Sequence, residues 1–332
     1  MPAVTEAGSI DVREGGRWTH AQRAKNDVLW LLASAAIAVT SHLSPRTLRA
    51  TGMALGRVAH RLIPSARRLA LANVAIAFPE LDVGARRALV ARAYRTLGGY
   101  LGEAIAMLDP SRPVVLLPFA TGARAALDGA IAEQRGVVFA SAHLGPWERV
   151  AATLIGCDLP FTAVAREAYD PRLTRLYDRL RGGRGLPTIY RGAAGAAAAL
   201  LRTLRRGHVL GIPMDLASRV PSIDVRFLGR VAPTPVGPAR LALRTGAAVV
   251  VGVPAPIDRS DHSSADNLAL TVTRIDTHDL EATPEGERAL TERINDVLSA
   301  RIRALPEAWV WMHPRWPAGA VEAPTPRPPT TV

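Results

Sequence analysis

The apolar positions fall into two regimes, long helical patterns up to about residue 110 and short apolar runs separated by helical stretches beyond it. Residues 27–43, DVLWLLASAAIAVTSHL, are the most apolar segment and follow Arg23 and Lys25. A spanning helix needs about 20 apolar residues, so this run sits near the lower limit. It admits three readings: an uncleaved membrane anchor, a signal peptide with internal Ala-x-Ala patterns, and a buried core helix, to which Ser34, Thr40 and Ser41 point. The charged arm before it favours an anchor over a signal peptide. Residues 46–63 place apolar side chains at helical spacing with Arg46, Arg49, Arg57 and Arg61 between them. That pattern suits a helix at a membrane surface or an amphipathic helix packed on the main domain. Two more helices are predicted over 65–77 and 82–108, separated at Phe78-Pro79-Glu80.

Past residue 113 the rhythm changes to alternating strands and helices. Short apolar runs predict strands at 114–117, from Gly136 to His143, and at 161–165, 187–190, 208–212, 223–228, 247–253 and 267–273. Helical patterns fall between them at 122–133, 146–156, 170–180, 192–206 and 236–245, with a last amphipathic helix over 285–304. This order predicts an α/β fold, a mixed central sheet flanked by helices, with a helical, membrane-associating N-terminal region. The expected organisation is a disordered arm at 1–20, a helical region at 21–110, an α/β domain at 111–316 and a Pro- and Thr-rich disordered tail at 317–332. Gly182-Gly183-Arg184-Gly185 follows a helix and leads into a strand, the wrong order for a dinucleotide loop, and is better read as a helix-ending turn.

Composition changes this picture in one respect. Apolar residues make up 48% of the 332 and mean hydropathy is +0.10, more than a very soluble enzyme needs. The net charge of +12 is almost all arginine, Lys25 being the sole lysine. Such a surface attracts phospholipid headgroups, phosphorylated sugars or nucleic acid. Nucleic acid is disfavoured, because the arginines are scattered through helical segments and aromatics are only 5%. The single cysteine, Cys157, follows an apolar helical run and reads as a core residue.

The candidate chemistry lies in GVVFASAHLGPWERV, residues 136–150. A strand ends at His143, turns through Leu144 and Gly145, and restarts as a helix at Pro146-Trp147-Glu148. Ligands of open α/β sheets bind at such carboxyl ends. His143 as general base with Glu148 orienting its ring is one reading. The plainer one has His143 capping a loop and Glu148 favouring a helix N-terminus. Ser141 lacks the elbow of a serine nucleophile, and no second His or Cys lies at zinc spacing, so no metal is expected.

The SAHLGPWE stretch resembles the HxxxxD/E motif of the lysophospholipid acyltransferase superfamily, specifically the bacterial lipid A late acyltransferase (lauroyl/myristoyl acyltransferase) family. ANVAIAFPEL at 72–81, IPMDLAS at 212–218, VRFLGRVAPTPVGPARLALRTGAAVV at 225–250 and PEAWVWMHPRW at 306–316 match it in order. Ala142 and Pro146 stand where many members carry Asn, and Met214-Asp215-Leu216 replaces a more usual Asp-Gln-rich run. The resemblance implies a glycerolipid acyltransferase-like fold and O-acyl transfer from acyl carrier protein, or acyl-CoA, to a hydroxyl of a membrane glycolipid, most readily a lipid A precursor. A phosphatidylinositol mannoside or a lysophospholipid is the alternative acceptor. It implies no cofactor beyond the thioester co-substrate, no nucleic-acid partner, and a place on the cytoplasmic face of a bacterial inner membrane. A different class, an anionic-lipid or nucleic-acid binding protein without catalysis, predicts association indifferent to His143.

The family's arginine downstream of its acidic motif residue falls on Arg181, a candidate for binding phosphate or polarising the thioester carbonyl, and otherwise a surface cation at a helix end. Arg166, just past the 161–165 strand, is a second candidate for substrate binding. Asp215 matches the family's acidic loop position and either orients His143, binds a sugar hydroxyl or forms a turn. Arg240, near a helix start, is a further anion-binding candidate, although Pro235, Gly237 and Pro238 are also explained by plain helix initiation. His313 and Arg315 lie among Trp309, Trp311 and Trp316, half of the six tryptophans. That cluster suits a membrane interface, an acyl groove wall or a packed C-terminal segment.

Overall fold

A computed structural model describes residues 17–40, 42–257 and 267–316. Most of the arm at 1–20 and the tail at 317–332 therefore lie outside the described residues. Four helices come first: α1 His20–Thr40, α2 Pro45–Leu62, α3 Pro64–Ala77 and α4 Val83–Ala106. Their limits follow local chemistry. Ser44 caps α2 by accepting the Thr47 N–H at 3.1 Å, and Asp82 caps α4 through the Ala85 N–H at 2.7 Å.

Helices α2 and α4 pack at backbone contact because glycines face one another. A Cβ on Gly52 would sit 2.1 Å from the Gly98 carbonyl oxygen, and one on Gly102 would sit 2.2 Å from that of Leu48. The 46–63 helix is thus packed on the main body through one face, while Leu55, Val58 and Leu62 remain exposed on it. Helix α1 departs from expectation. No helix among the described residues is long and apolar enough to cross a membrane. Nor is α1 a core helix, since Val28, Leu29, Leu31, Leu32 and Val39 are all more than half exposed.

The remaining elements are α5 Ala123–Ala132, β1 Val137–Ser141, α6 Trp147–Gly156, β2 Phe161–Ala165, α7 Pro171–Gly182, β3 Thr188–Tyr190, α8 Ala196–Arg205 and β4 Val209–Pro213. They are followed by β5 Ser222–Phe227, β6 Arg230–Pro235, α9 Gly237–Thr245, β7 Ala248–Pro256, β8 Leu268–Ile275 and α10 Pro284–Ala304. Six strands form a mixed sheet in the order β3-β2-β4-β1-β7-β8, parallel except for the antiparallel edge strand β8. Strand β1 is central, buried on both faces, and reads accordingly as continuous Val-Val-Phe-Ala. Core residues from both sides of position 110 share one cluster, Val74 and Val90 with Val138, Val250 and Leu298.

One strand expectation fails, and one expected strand pairs outside the main sheet. Residues 114–117 join no ladder; Val115 is exposed, and the Leu117 N–H donates to Thr153 Oγ1 at 3.0 Å instead. The 223–228 run does form a strand, but it pairs in a separate hairpin with β6, whose Pro233 and Pro235 argue against a strand in the sequence. A two-stranded ribbon leaves one side of each strand without a ladder, where a missing N–H costs nothing. Cys157 is half-buried against the core.

Candidate active site

The parallel register of β1 and β4 builds the site. Ser141 pairs with Pro213, so His143 and Asp215, each two residues further on, leave adjacent strands side by side. His143 Nδ1 lies 2.9 Å from Asp215 Oδ1, and the His143 backbone N–H donates to Oδ2 at 2.9 Å. Trp309 Nε1 donates to the same Oδ2 at 2.7 Å. Three donors therefore surround a carboxylate with no solvent exposure. Burial alone would raise its pKa, but the imidazole and these donors outweigh it and hold Asp215 below the ordinary carboxylate range. For His143 burial acts downward, yet the charge and hydrogen bond of Asp215 prevail and its pKa lies above 6.5. The ring is 32% exposed, and Nε2 makes no hydrogen bond among the described residues. With Nδ1–H given to the carboxylate, Nε2 is the available base.

The turn that presents His143 depends on Gly145. Its φ is +67°, and a Cβ there would meet Pro254 Cγ at 2.5 Å. The C-terminal segment clamps this turn: the Gly145 N–H donates to Ala308 O at 2.9 Å, and Leu144 bridges to Trp309. Trp309, Trp311 and Trp316 are buried, with Trp309 and Trp311 ring centroids 4.6 Å apart. Of the readings of the tryptophan cluster, the packed segment is the one observed. Arg315 is also fully buried, donating to Pro233 O and Thr234 Oγ1 with its guanidinium 4.3 Å above the Phe227 ring. Burial lowers its pKa to about 10.

Glu148 does not orient His143, contrary to the expectation from their spacing. It lies in the first turn of α6, which turns it toward α7, and both its oxygens are taken by Arg181, at 2.7 Å from Nη2 and 3.1 Å from Nε. Burial opposes the charge of Arg181, but the bond to Glu148 outweighs it and raises the guanidinium pKa. Both groups line the same small cavity as His143, about 70 Å³, whose apolar walls include Trp147, Val150, Phe139, Phe161 and Leu186. The Trp147 ring stands edge-on to the imidazole, 5.4 Å between centroids.

The other two candidates stand elsewhere. Arg240 ties α9 to α10 through a two-pronged ion pair with the buried Glu287, at 2.8 Å from each oxygen, and does not line the cavity. Its place at a helix start suggested an anion site; the acidic partner from α10 takes that role. Arg166 is half-buried one residue past β2 and lies outside the cavity lining. Among the described residues no three His, Cys, Asp or Glu are grouped to hold a metal. Trp309 was named in the sequence only as one of a tryptophan cluster; its bond to Asp215 is the part that sequence reasoning missed.

The family described as bacterial lipid A biosynthesis acyltransferase matches this chain over residues 18–318. The chain is 26% identical over 199 residues to a phosphatidylinositol mannoside acyltransferase of Mycobacterium tuberculosis (strain ATCC 25618 / H37Rv), covering 59% of this chain and 60% of the relative. A phosphatidylinositol mannoside acyltransferase of Mycolicibacterium smegmatis is 26% identical over 187 residues, 55% of this chain and 57% of that one. The match spans about 60% of the length of these relatives at most.

Proposed function

Since the chain belongs to the bacterial lipid A biosynthesis acyltransferase family, we propose that it moves a fatty acyl chain from a thioester of acyl carrier protein or CoA to a hydroxyl of a membrane glycolipid. The observation that carries this is the His143–Asp215 pair, with Nδ1 held at 2.9 Å and Nε2 without a hydrogen bond among the described residues, beside an apolar cavity. Nε2 takes the proton of the acceptor hydroxyl as its oxygen attacks the thioester carbonyl. The tetrahedral intermediate collapses, the C–S bond breaks, and the imidazolium returns its proton to the leaving thiolate. Ester and free thiol result, and the base is restored. Glu148 takes part through Arg181: two of the guanidinium's nitrogens are held by the carboxylate, and Nη1 is left for the carbonyl oxygen as it gains charge, or for a phosphate of either substrate. Arg166 and Arg240, which lie outside the cavity lining, are given no role in this reading.

A lipid A precursor is the first acceptor in this reading, supported by the family. A phosphatidylinositol mannoside is the second, favoured by the names of the relatives. The reaction belongs at the cytoplasmic face of the inner membrane, a placement supported by the +12 charge and the exposed apolar side chains of α1 and α2. Transfer from labelled acyl-carrier-protein and acyl-CoA donors to lipid A precursor, phosphatidylinositol mannoside and lysophospholipid, with wild type beside His143→Ala, tests the proposal. Labelled glycolipid made by wild type and lost in the variant is the expected result. Transfer that survives His143→Ala overturns the mechanism. Free fatty acid without any acylated acceptor would make the protein a hydrolase.

A further inference from the structure

Helix α7 presents two unlike faces. Arg181 lines the cavity beside His143, with its guanidinium 5.3 Å from the Tyr177 ring. Arg172, Arg175, Leu176 and Arg179 recur at the three- and four-residue spacing of another face. That face walls a second and larger groove of about 400 Å³, closed on its other sides by α1 and the end of α4. Trp30 and Ile37 of α1, Ile105 of α4 and Leu176 give it an apolar floor. A groove of this size falls in the range that holds small molecules.

Its charges are unevenly matched. Arg112 is answered by Asp109 at 3.1 Å, and Arg172 by Asp170 at 2.7 Å and Asp27 at 2.6 Å. The side chains of Arg175 and Arg179, one turn apart on the same rim, are exposed and make no hydrogen bond or close ion pair among the described residues, Arg175 acting on Asp170 only at longer range. Ser34 Oγ, also in the lining, is buried without a hydrogen-bond partner among the described residues. Two guanidinium groups without close ion-pair partners over an apolar trough match a phosphate joined to an acyl chain. The outer side of α1 continues the apolar surface through Leu31, Leu32 and Val39.

We propose that this groove is a binding site for an anionic phospholipid of the bilayer, with its phosphate on Arg175 and Arg179 and one acyl chain along Trp30, Ile37 and Leu176. The lipid is a fixed ligand and not the acyl acceptor, because the face of α7 that holds it is not the one that lines the cavity beside the imidazole. The proposal is independent of the acyl-transfer reading, and its test does not measure turnover.

The experiment is calorimetric titration of the full-length protein with short-chain monomeric phosphatidylglycerol and, separately, with phosphatidylcholine of the same chains. Wild type is set beside Arg175→Gln/Arg179→Gln, Arg175→Lys/Arg179→Lys and the groove-filling Ser34→Trp, each checked for unchanged circular dichroism. Saturable binding of one phosphatidylglycerol is expected, weakened about tenfold or more for phosphatidylcholine and in the Gln pair, partly restored in the Lys pair and lost in Ser34→Trp. Equal binding of the two lipids, binding unaffected by the Gln pair, or no binding by the folded wild type overturns the site. So does displacement of the lipid by the glycolipid acceptor or by acyl carrier protein, which would assign the arginines to a substrate.

Discussion

Two largely buried charge pairs flank the cavity, and they differ in what supports them. His143 and Asp215 stand on the ends of neighbouring strands, where a ladder from Val137↔Val209 to Ser141↔Pro213 fixes their separation. Glu148 and Arg181 join two helices, α6 and α7, whose spacing depends on side-chain packing such as that of Leu180 with Met107 and Ala152. The first pair contains a group that titrates near neutrality; the second pairs a carboxylate with a guanidinium that stays charged. In the proposed reaction the base therefore stands on the strand-fixed pair and charge stabilisation on the helix-borne one.

Removing the base separates the two most sharply. His143→Ala should lower kcat by about 1,000-fold or more and, by taking one donor from the buried Asp215, cost about 1–3 kcal/mol of stability, measured by single-turnover transfer and chemical denaturation. A variant within tenfold of wild type would remove the distinction. Asp215→Asn should cost about 100-fold. It should also move the acid limb of the rate profile. The base works neutral, so activity falls as pH drops through the His143 pKa, which Asp215 holds above 6.5. Without that charge burial dominates and the limb shifts to lower pH. An unmoved limb would show that Asp215 acts by packing alone.

The helix pair should respond in the reverse order. Glu148→Gln leaves a buried guanidinium uncompensated and should destabilise the fold by about 3 kcal/mol, with a smaller loss of kcat, about tenfold, and an unshifted acid limb. Stability equal to wild type would mean that solvent reaches Arg181 freely. The smallest effect belongs to Trp309→Phe, which removes one of three donors from Asp215 Oδ1 and Oδ2 while keeping an aromatic ring. A cost of about 1–3 kcal/mol in stability and a few-fold in kcat is expected. Loss of all activity would place Trp309 among the groups that contact substrate.

Much of the sheet was legible. The runs that became β1, β2, β4 and β7 are short, apolar and bounded by turns, and they report burial directly. Strand β6 was hidden by its prolines, which the sequence cannot assign to the unladdered side of a ribbon. Arg240 illustrates the limit of local signals: a helix start marks an anion site only if no carboxylate arrives from elsewhere, and Glu287 is 47 residues away. His143 and Asp215 were each visible as candidates, but their partnership was only one of several readings.

What the sequence by itself determined is periodic or local: the helical first third, the alternation of strands and helices, the turn through Gly145 and the imidazole at the end of a buried strand. Hydrophobic spacing and backbone sterics act over a few residues, so the chain carries them openly. Which carboxylate holds the imidazole was decided only by tertiary structure. Glu148 lies five residues from His143 and Asp215 seventy-two, yet the parallel register of β1 and β4 brings the distant one to 2.9 Å while α6 turns the near one to Arg181. The physical reason is that a crossover between parallel strands makes sequence distance irrelevant at the strand ends, where the chemistry is done.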